Sequence, residues 1–354
     1  MSSTYSRGDR IVVAGSLALT ALAGVARYAG FGDVLAFVIA GLAIGVLASL
    51  VGRSVDQLAD RLGAGATGVV QSALGNLPEL FIALFALHAG LIGVVQAAVV
   101  GSVLANVLLV MGLAFFVGGV KHGAQRFDAP RAREIALLLL LSVAALAVPT
   151  LTSVMHTPAS GHERPLSVIV AVVLLLVFAA SVPGSLRRSN EGNHVEDLGE
   201  ARWPFPVALG LLAASGVLAA LVSDWFVHAL EPAILSLGIS QAFAGLVVVA
   251  IAGNAVENVI GIQLAARNQP DFALSLVLQS PLQIALVLAP ALLLLAPAVG
   301  AAGFTLVLPP LLLVALVLAV LVTVFVVFDG ESTWLEGLMM LGLYVVIAAA
   351  FWWG

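Results

Sequence analysis

Gly75-Asn76-Leu77-Pro78-Glu79 recurs as Gly253-Asn254-Ala255-Val256-Glu257, and both copies lie deep within apolar sequence. Twenty-three residues after Glu79 stands Ser102, within Gly101-Ser102-Val103-Leu104-Ala105-Asn106. Twenty-three residues after Glu257 stands Ser280, within Gln279-Ser280-Pro281-Leu282-Gln283. Polar groups that return at the same offsets mark two copies of one structural unit. A carboxyl group inside hydrocarbon is costly and functional by default. One such acid alone could be a structural residue paired within a helix bundle. A matched pair with matched neighbours argues against that.

The sequence around the motifs sets the solvent. Of 354 residues, 62% are hydrophobic and 9% charged, whereas a soluble domain carries roughly 25% charged residues. The apolar runs are continuous and long enough to cross ~30 Å of hydrocarbon, which takes about 20 helical residues. Every backbone group must be paired there, and runs that do not alternate read as helices. The chain is therefore expected to be an all-α membrane protein of about eleven transmembrane helices, near 11–29, 34–52, 66–88, 92–118, 134–150, 165–183, 204–224, 240–266, 271–297, 304–328 and 333–353. The first run follows an arm with Arg7 and Arg10, and no clear small-residue cleavage site comes after it, so it reads as a retained helix. Cysteine is absent, which removes disulfides and thiolate metal sites from consideration. The net charge of −5 gives no reason to expect nucleic acid as a partner.

Positive charge orients the spans. With the N-terminus in the cytoplasm, twelve of the fourteen Lys and Arg residues fall inside, and only Arg27 and Arg164 fall outside. The C-terminus then lies outside. Trp203, Trp225, Trp334, Trp352 and Trp353 stand near expected span ends, at headgroup level. The polar stretch 184–203, with Glu191, Glu196, Asp197 and Glu200, divides the chain. It reads as a solvated cytoplasmic linker, or more sharply as an acidic segment that senses cation. The expected organisation is an arm and first helix over 1–33, a first repeat of helices 2–6 over 34–183, the linker over 184–203, and a second repeat of helices 7–11 over 204–354. The motif spans are separated by an odd number of crossings, so the repeats must be inverted, an architecture of transporters with a midplane site. The short arm suggests a prokaryotic plasma membrane. Lipid is the surrounding partner, and a homo-oligomer is left open.

Asn and Glu are three residues apart in each motif and would share a helical face. Ser102 with Asn106 and Ser280 with Gln283 would pair in the same way. Glycine before each Asn, with Pro78 in the first copy, favours a broken helix with free carbonyls. Calcium takes about six to eight oxygen ligands, which carboxylates, amides, hydroxyls and loosened carbonyls can supply. Ser102, Asn106, Ser280 and Gln283 could also serve to tie helices together. Asp56 and Asp60 mark a cytoplasmic mouth or a solvated helix end, and Glu336 reads as interfacial. No histidine falls mid-span, which disfavours an imidazole proton relay. Two carboxylates can hold one divalent cation or two protons, so Ca2+/H+ antiport is the leading expectation. Na+/Ca2+ exchange on the same scaffold is the alternative. A channel is disfavoured because one subunit offers two unequal acids, not a symmetric ring. No nucleophile–base constellation or phosphate loop points to an enzyme, and no cofactor is expected beyond the transported Ca2+.

At residues 75–113, 253–290 and 329–353 the sequence resembles the cation/proton exchanger (CAX) family of the calcium/cation antiporter superfamily, which carries Gly-Asn-x-x-Glu in each inverted repeat. The resemblance implies eleven helices and calcium ligation by Glu79 and Glu257, helped by the carbonyls of Gly75 and Gly253. It implies that Asn76 and Asn254 shape or complete the site, and that Ser280 and Gln283 match polar positions of the ninth helix. Two positions depart from the family's pattern. Asn258 stands where His is common, and Gln279-Ser280-Pro281 stands where Gly-Ser-Ser is common. Sodium/calcium exchangers of the superfamily carry Thr-Ser-type motifs where this chain has Gly-Asn twice. They also tend to place a further acid on the helix after the second motif, where Leu278-Gln279-Ser280-Pro281 offers none.

Overall fold

Backbone pairing within each segment makes the apolar stretches helical almost throughout. The computed structural model describes residues 6–191 and 203–353, and the side chains of Arg7, 59–73, 182–191, Val256 and Glu257 lie outside that description, as do Glu196, Asp197 and Glu200. In chain order the elements are α1 (Arg7–Ala29), α2 (Asp33–Leu74), α3 (Leu77–His88) and α4 (Ile92–Leu104), which passes through a π-helical stretch, Ala105–Val110, into α5 (Met111–His122). A short strand β1 (Gln125–Arg126) precedes α6 (Ala129–Val154), α7 (Glu163–Glu191) and α8 (Phe205–Leu237). Then come α9 (Gln241–Phe243), a second π-helical stretch (Ala244–Val249), α10 (Ala250–Gly253) and α11 (Ala255–Ala266). The last part comprises α12 (Pro270–Gln283), a third π-helical stretch (Ile284–Leu288), α13 (Ala289–Leu295), a 3-10 turn (Ala296–Val299), α14 (Pro310–Val326), β2 (Glu331–Ser332) and α15 (Trp334–Ala350).

Among the described residues seven helices are long and apolar enough to cross a membrane, and an eighth span forms if the pair Gln241–Gly253 and Asn258–Ala266, bent by 63°, is counted as one. Leu77–His88, Pro310–Val326 and Trp334–Ala350 are apolar but shorter. The fold class is therefore as expected, while the count of eleven is not fixed by helix length alone.

The breaks have local causes. A proline ring clashes with the carbonyl four residues earlier and cannot donate to it. Pro78 stands four residues after Leu74, where α2 ends, and α3 restarts at Leu77 with Leu80 N–H donating to Asn76 O at 3.0 Å. The second copy lacks that proline and breaks at Asn254, whose backbone sits at φ −98, ψ 17. Its side-chain Nδ2 donates to Ala250 O at 2.9 Å, a back-bond of the kind that bends helices.

One expected boundary is corrected. Residues 53–65 do not separate a second span from a third, because α2 runs on through them for 42 residues, about 63 Å. That stretch contains no proline and is mostly helix-compatible, so nothing local stops the helix before Pro78. Each Asn occupies the turn before its half-helix, and each Glu is the third residue within it.

The chain divides into two units, one of residues 1–85 and 175–237, the other of 86–174 and 238–354. In the first, Asp9 in the opening turn of α1 takes a salt bridge from Arg53 at 2.9 Å and a hydrogen bond from Trp203 Nε1 at 3.3 Å. Trp203 is buried in a cluster with Leu50, Val51, Val55, Leu58, Ala208 and Leu212. Trp225 is buried too, edge-on to Tyr28 with ring centroids 6.0 Å apart. Both rings pack inside the first unit. Trp203 finds its acceptor in Asp9, and α8 continues to Leu237, well past Trp225.

In the second unit, hydrogen bonds between connections reveal helix direction. At one end His88 Nδ1 meets Val299 O at 3.0 Å, and Thr150 Oγ1 accepts from Leu308 N at 2.8 Å. At the other end Gln125 Nε2 donates to Ala265 O at 3.1 Å and to Asn268 Oδ1 at 2.9 Å, while β1 pairs antiparallel with β2. The start of α4 thus lies beside the end of the span begun by α12, and the end of α5 lies beside its start. The helices carrying Ser102 and Ser280 are antiparallel, as an odd number of crossings requires.

Close packing in this unit depends on Gly101 of α4, where a Cβ would collide with the backbone of Leu246. Gly101→Ala should destabilise the detergent-solubilised protein by about 1–3 kcal/mol, because backbone cannot rotate aside. Gly210→Ala, at an open helical position, should be neutral or slightly stabilising. Equal thermal stability of the two variants would contradict this packing.

Candidate functional site

Helix breaks and π-helical turns place four polar side chains of the second unit in mutual contact. Asn254 enters from the break before α11, Ser102 from the end of α4, Asn106 from the π-helical stretch that follows, and Ser280 from α12. Asn106 Nδ2 donates to Ser102 O at 2.9 Å, to Asn254 Oδ1 at 3.1 Å and to Ser280 Oγ at 3.3 Å. Asn254 Nδ2 donates to Ser102 Oγ at 3.0 Å, and Ser280 Oγ donates to Asn254 Oδ1 at 3.4 Å. All four residues are buried, the two asparagines completely.

The two amides are used differently. Asn254 accepts two bonds at Oδ1 and spends Nδ2 on Ser102 and Ala250, so its bonding capacity is taken up within the node. Asn106 Oδ1 is buried without a hydrogen-bond partner. An orphaned buried acceptor costs about 1–3 kcal/mol and calls for an explanation. A cation, which needs acceptors only, would satisfy it. Asn258 Oδ1 is a second buried acceptor in that condition, one residue after Glu257.

The remaining expected residues lie as follows. Gly75, Asn76 and Glu79 belong to the first unit, and Gly253, Asn254, Glu257 and Gln283 to the second. Asn76 is buried and its Nδ2 is unpartnered, while Glu79 is half-buried at the start of α3. A helix N-terminus favours negative charge, and Glu79 and Glu257 hold equivalent places in their half-helices. The Glu257 side chain lies outside the described atoms. Gln283 closes α12, half-buried and outside the hydrogen-bonded four.

Sequence reading did not foresee the π-helical stretches, two of which follow Ser102 and Ser280 at nearly the same offset. One signal was present. Asn106 stands four residues after Ser102 and takes its carbonyl, just as Asn254 takes that of Ala250.

A family model described as "Sodium/calcium exchanger protein" matches residues 33–186 and 207–353, one motif in each segment. The Ca(2+)/H(+) antiporter of Synechocystis sp. is 35% identical over 348 residues, covering 92% of this chain and 93% of that protein. The Ca(2+)/H(+) antiporter ChaA of Bacillus subtilis is 36% identical over 315 residues, covering 86% and 88%. The solved structure of a selenium-substituted Ca2+/H+ antiporter protein, YfkE, superposes with a TM-score of 0.81 at 32% identity, covering 97% of this chain and 99% of its own.

Because one amide bonds the other, Asn106→Ala and Asn254→Ala should not act independently. The sum of their stability losses, measured by unfolding in detergent, should differ from the double variant's loss by about 1 kcal/mol or more. Additivity within about 0.5 kcal/mol would contradict the node.

Proposed function

The chain belongs to the sodium/calcium exchanger protein family, and on that premise we propose that it exchanges Ca2+ for H+ across a membrane by alternating access. It is then a secondary transporter and not an enzyme. The carrying observation is the contact of Ser102 and Asn106 from one repeat with Asn254 and Ser280 from the other, around a buried acceptor with no partner. Neutral oxygens gathered this way suit a hard cation that takes about six to eight oxygen ligands.

In this reading Glu79 and Glu257 supply the charge that balances calcium. The carbonyls of Gly75 and Gly253 and the oxygens of Asn106, Ser102, Ser280 and Gln283 contribute, with Asn76 and Asn254 shaping the site. The repeats bring the site to mid-membrane, with the N-terminus cytoplasmic and the C-terminus outside a prokaryotic plasma membrane. Two carboxylates can hold one divalent cation or two protons, so in this reading calcium and protons compete for the pair. Proton coupling is also what two relatives above 30% identity carry in their names. Sodium coupling is the second reading, and the family's description supports it.

Glu79→Gln and Glu257→Gln should each abolish calcium exchange in proteoliposomes while leaving insertion intact. The amide keeps the shape and loses the charge. Substantial calcium transport by either inserted variant would contradict the two-carboxylate site.

A further inference from the structure

We propose that Gln125 is a positioning residue for transport, which holds the far end of the half-helix that carries Glu257. This rests on the reading that Glu257 is a transport carboxylate.

A helix of twelve residues has few internal bonds to fix its direction, and its last carbonyls have no partner within it. In α11 the N–H groups of Arg267, Asn268 and Gln269 take the carbonyls of Gln263, Leu264 and Ala265, and side chains from outside the helix add to these bonds. Gln125 Nε2 gives one hydrogen to Ala265 O at 3.1 Å and the other to Asn268 Oδ1 at 2.9 Å, so both amide hydrogens go to the turn that ends α11. His122 Nε2 meets the next carbonyl, Ala266 O, at 3.0 Å. Asn268 holds that turn at φ 59, a left-handed conformation that asparagine tolerates well.

Gln125 is itself fixed on every side. It is 3% exposed, and its side-chain oxygen fills the space over Gly118 that any Cβ would occupy. Its backbone pairs with Ser332 across β1 and β2, and its carbonyl accepts from Ser332 Oγ at 3.4 Å. The opposite end of α11 starts at Asn254, which Asn106 holds at 3.1 Å. One arm of the first repeat, running from α4 through α5 to β1, therefore grips both ends of the half-helix.

Loosening the far end lowers the fraction of molecules in which α11 is correctly directed. Apparent affinity falls by that fraction, while turnover at saturation does not. A space-filling role would affect only how much protein folds. Gln125→Met keeps the volume and removes both donated bonds. In proteoliposomes assayed for calcium uptake under an imposed pH gradient, it should raise half-saturating calcium about tenfold. Its maximal rate per inserted protein should stay within about twofold. Asn268→Gly removes one acceptor at an exposed position and permits the left-handed backbone, so it should shift half-saturation about threefold in the same direction. It serves as the test if Gln125→Met does not insert. Glu257→Gln, assayed alongside, separates the two claims. Transport by that variant would remove the premise. If it is inactive and the inserted Gln125 or Asn268 variant half-saturates like the parent, the positioning role is overturned. A lower rate at unchanged half-saturation overturns it equally.

Discussion

A helix that breaks inside hydrocarbon exposes carbonyls and N–H groups that no water can reach, and each must find a partner or bind something. Much else in this protein is organised by how that demand is met. Pro78 forces the first break, since it cannot donate to Leu74 and clashes with it. The second break has no proline, and the Asn254 side chain takes the Ala250 carbonyl in its place. Once Asn254 turns out of the helix, its amide needs partners. Ser102, Asn106 and Ser280 provide them from helices of both repeats. Polar residues that would be a liability in lipid thus become the contacts that join the copies.

The same requirement operates at the connections between helices, where polar side chains close what the helices leave open. Gln125 and His122 bond the Ala265 and Ala266 carbonyls at the end of α11, and β1 pairs with β2 across two otherwise separate connections. Phe127 N–H reaches Gly330 O at 3.0 Å, and Arg133 donates to Phe328 O while its guanidinium lies over the Phe328 ring. These bonds hold the ends of antiparallel helices together, which keeps the register between the Ser102 and Ser280 helices defined.

Most of the architecture was legible because hydrocarbon imposes a severe composition and the repeat imposes matched offsets. Glycine before asparagine announced a break, and the structure has one at each motif. The node of Ser102, Asn106, Asn254 and Ser280 was legible as four candidates, but not as one network. Asn106 joins it from a π-helical stretch and Asn254 from a helix break, and the contacts link residues 148 and 174 positions apart, which no local pattern specifies. The run of α2 through Arg53 and Asp56 was misread as a connection, since polarity marks exposure to water and does not by itself end a helix. The bond from Trp203 to Asp9, a partner 194 residues earlier in the chain, was not legible because no local pattern marks it.

The central claim is that two intramembrane carboxylates alternate between one calcium ion and protons. It is tested most directly by calcium flux in proteoliposomes with the proton and sodium gradients imposed separately. The account predicts saturable calcium uptake driven by a pH gradient without sodium, with half-saturating calcium rising as the medium is acidified. Calcium flux that ignores the pH gradient and follows a sodium gradient would contradict it.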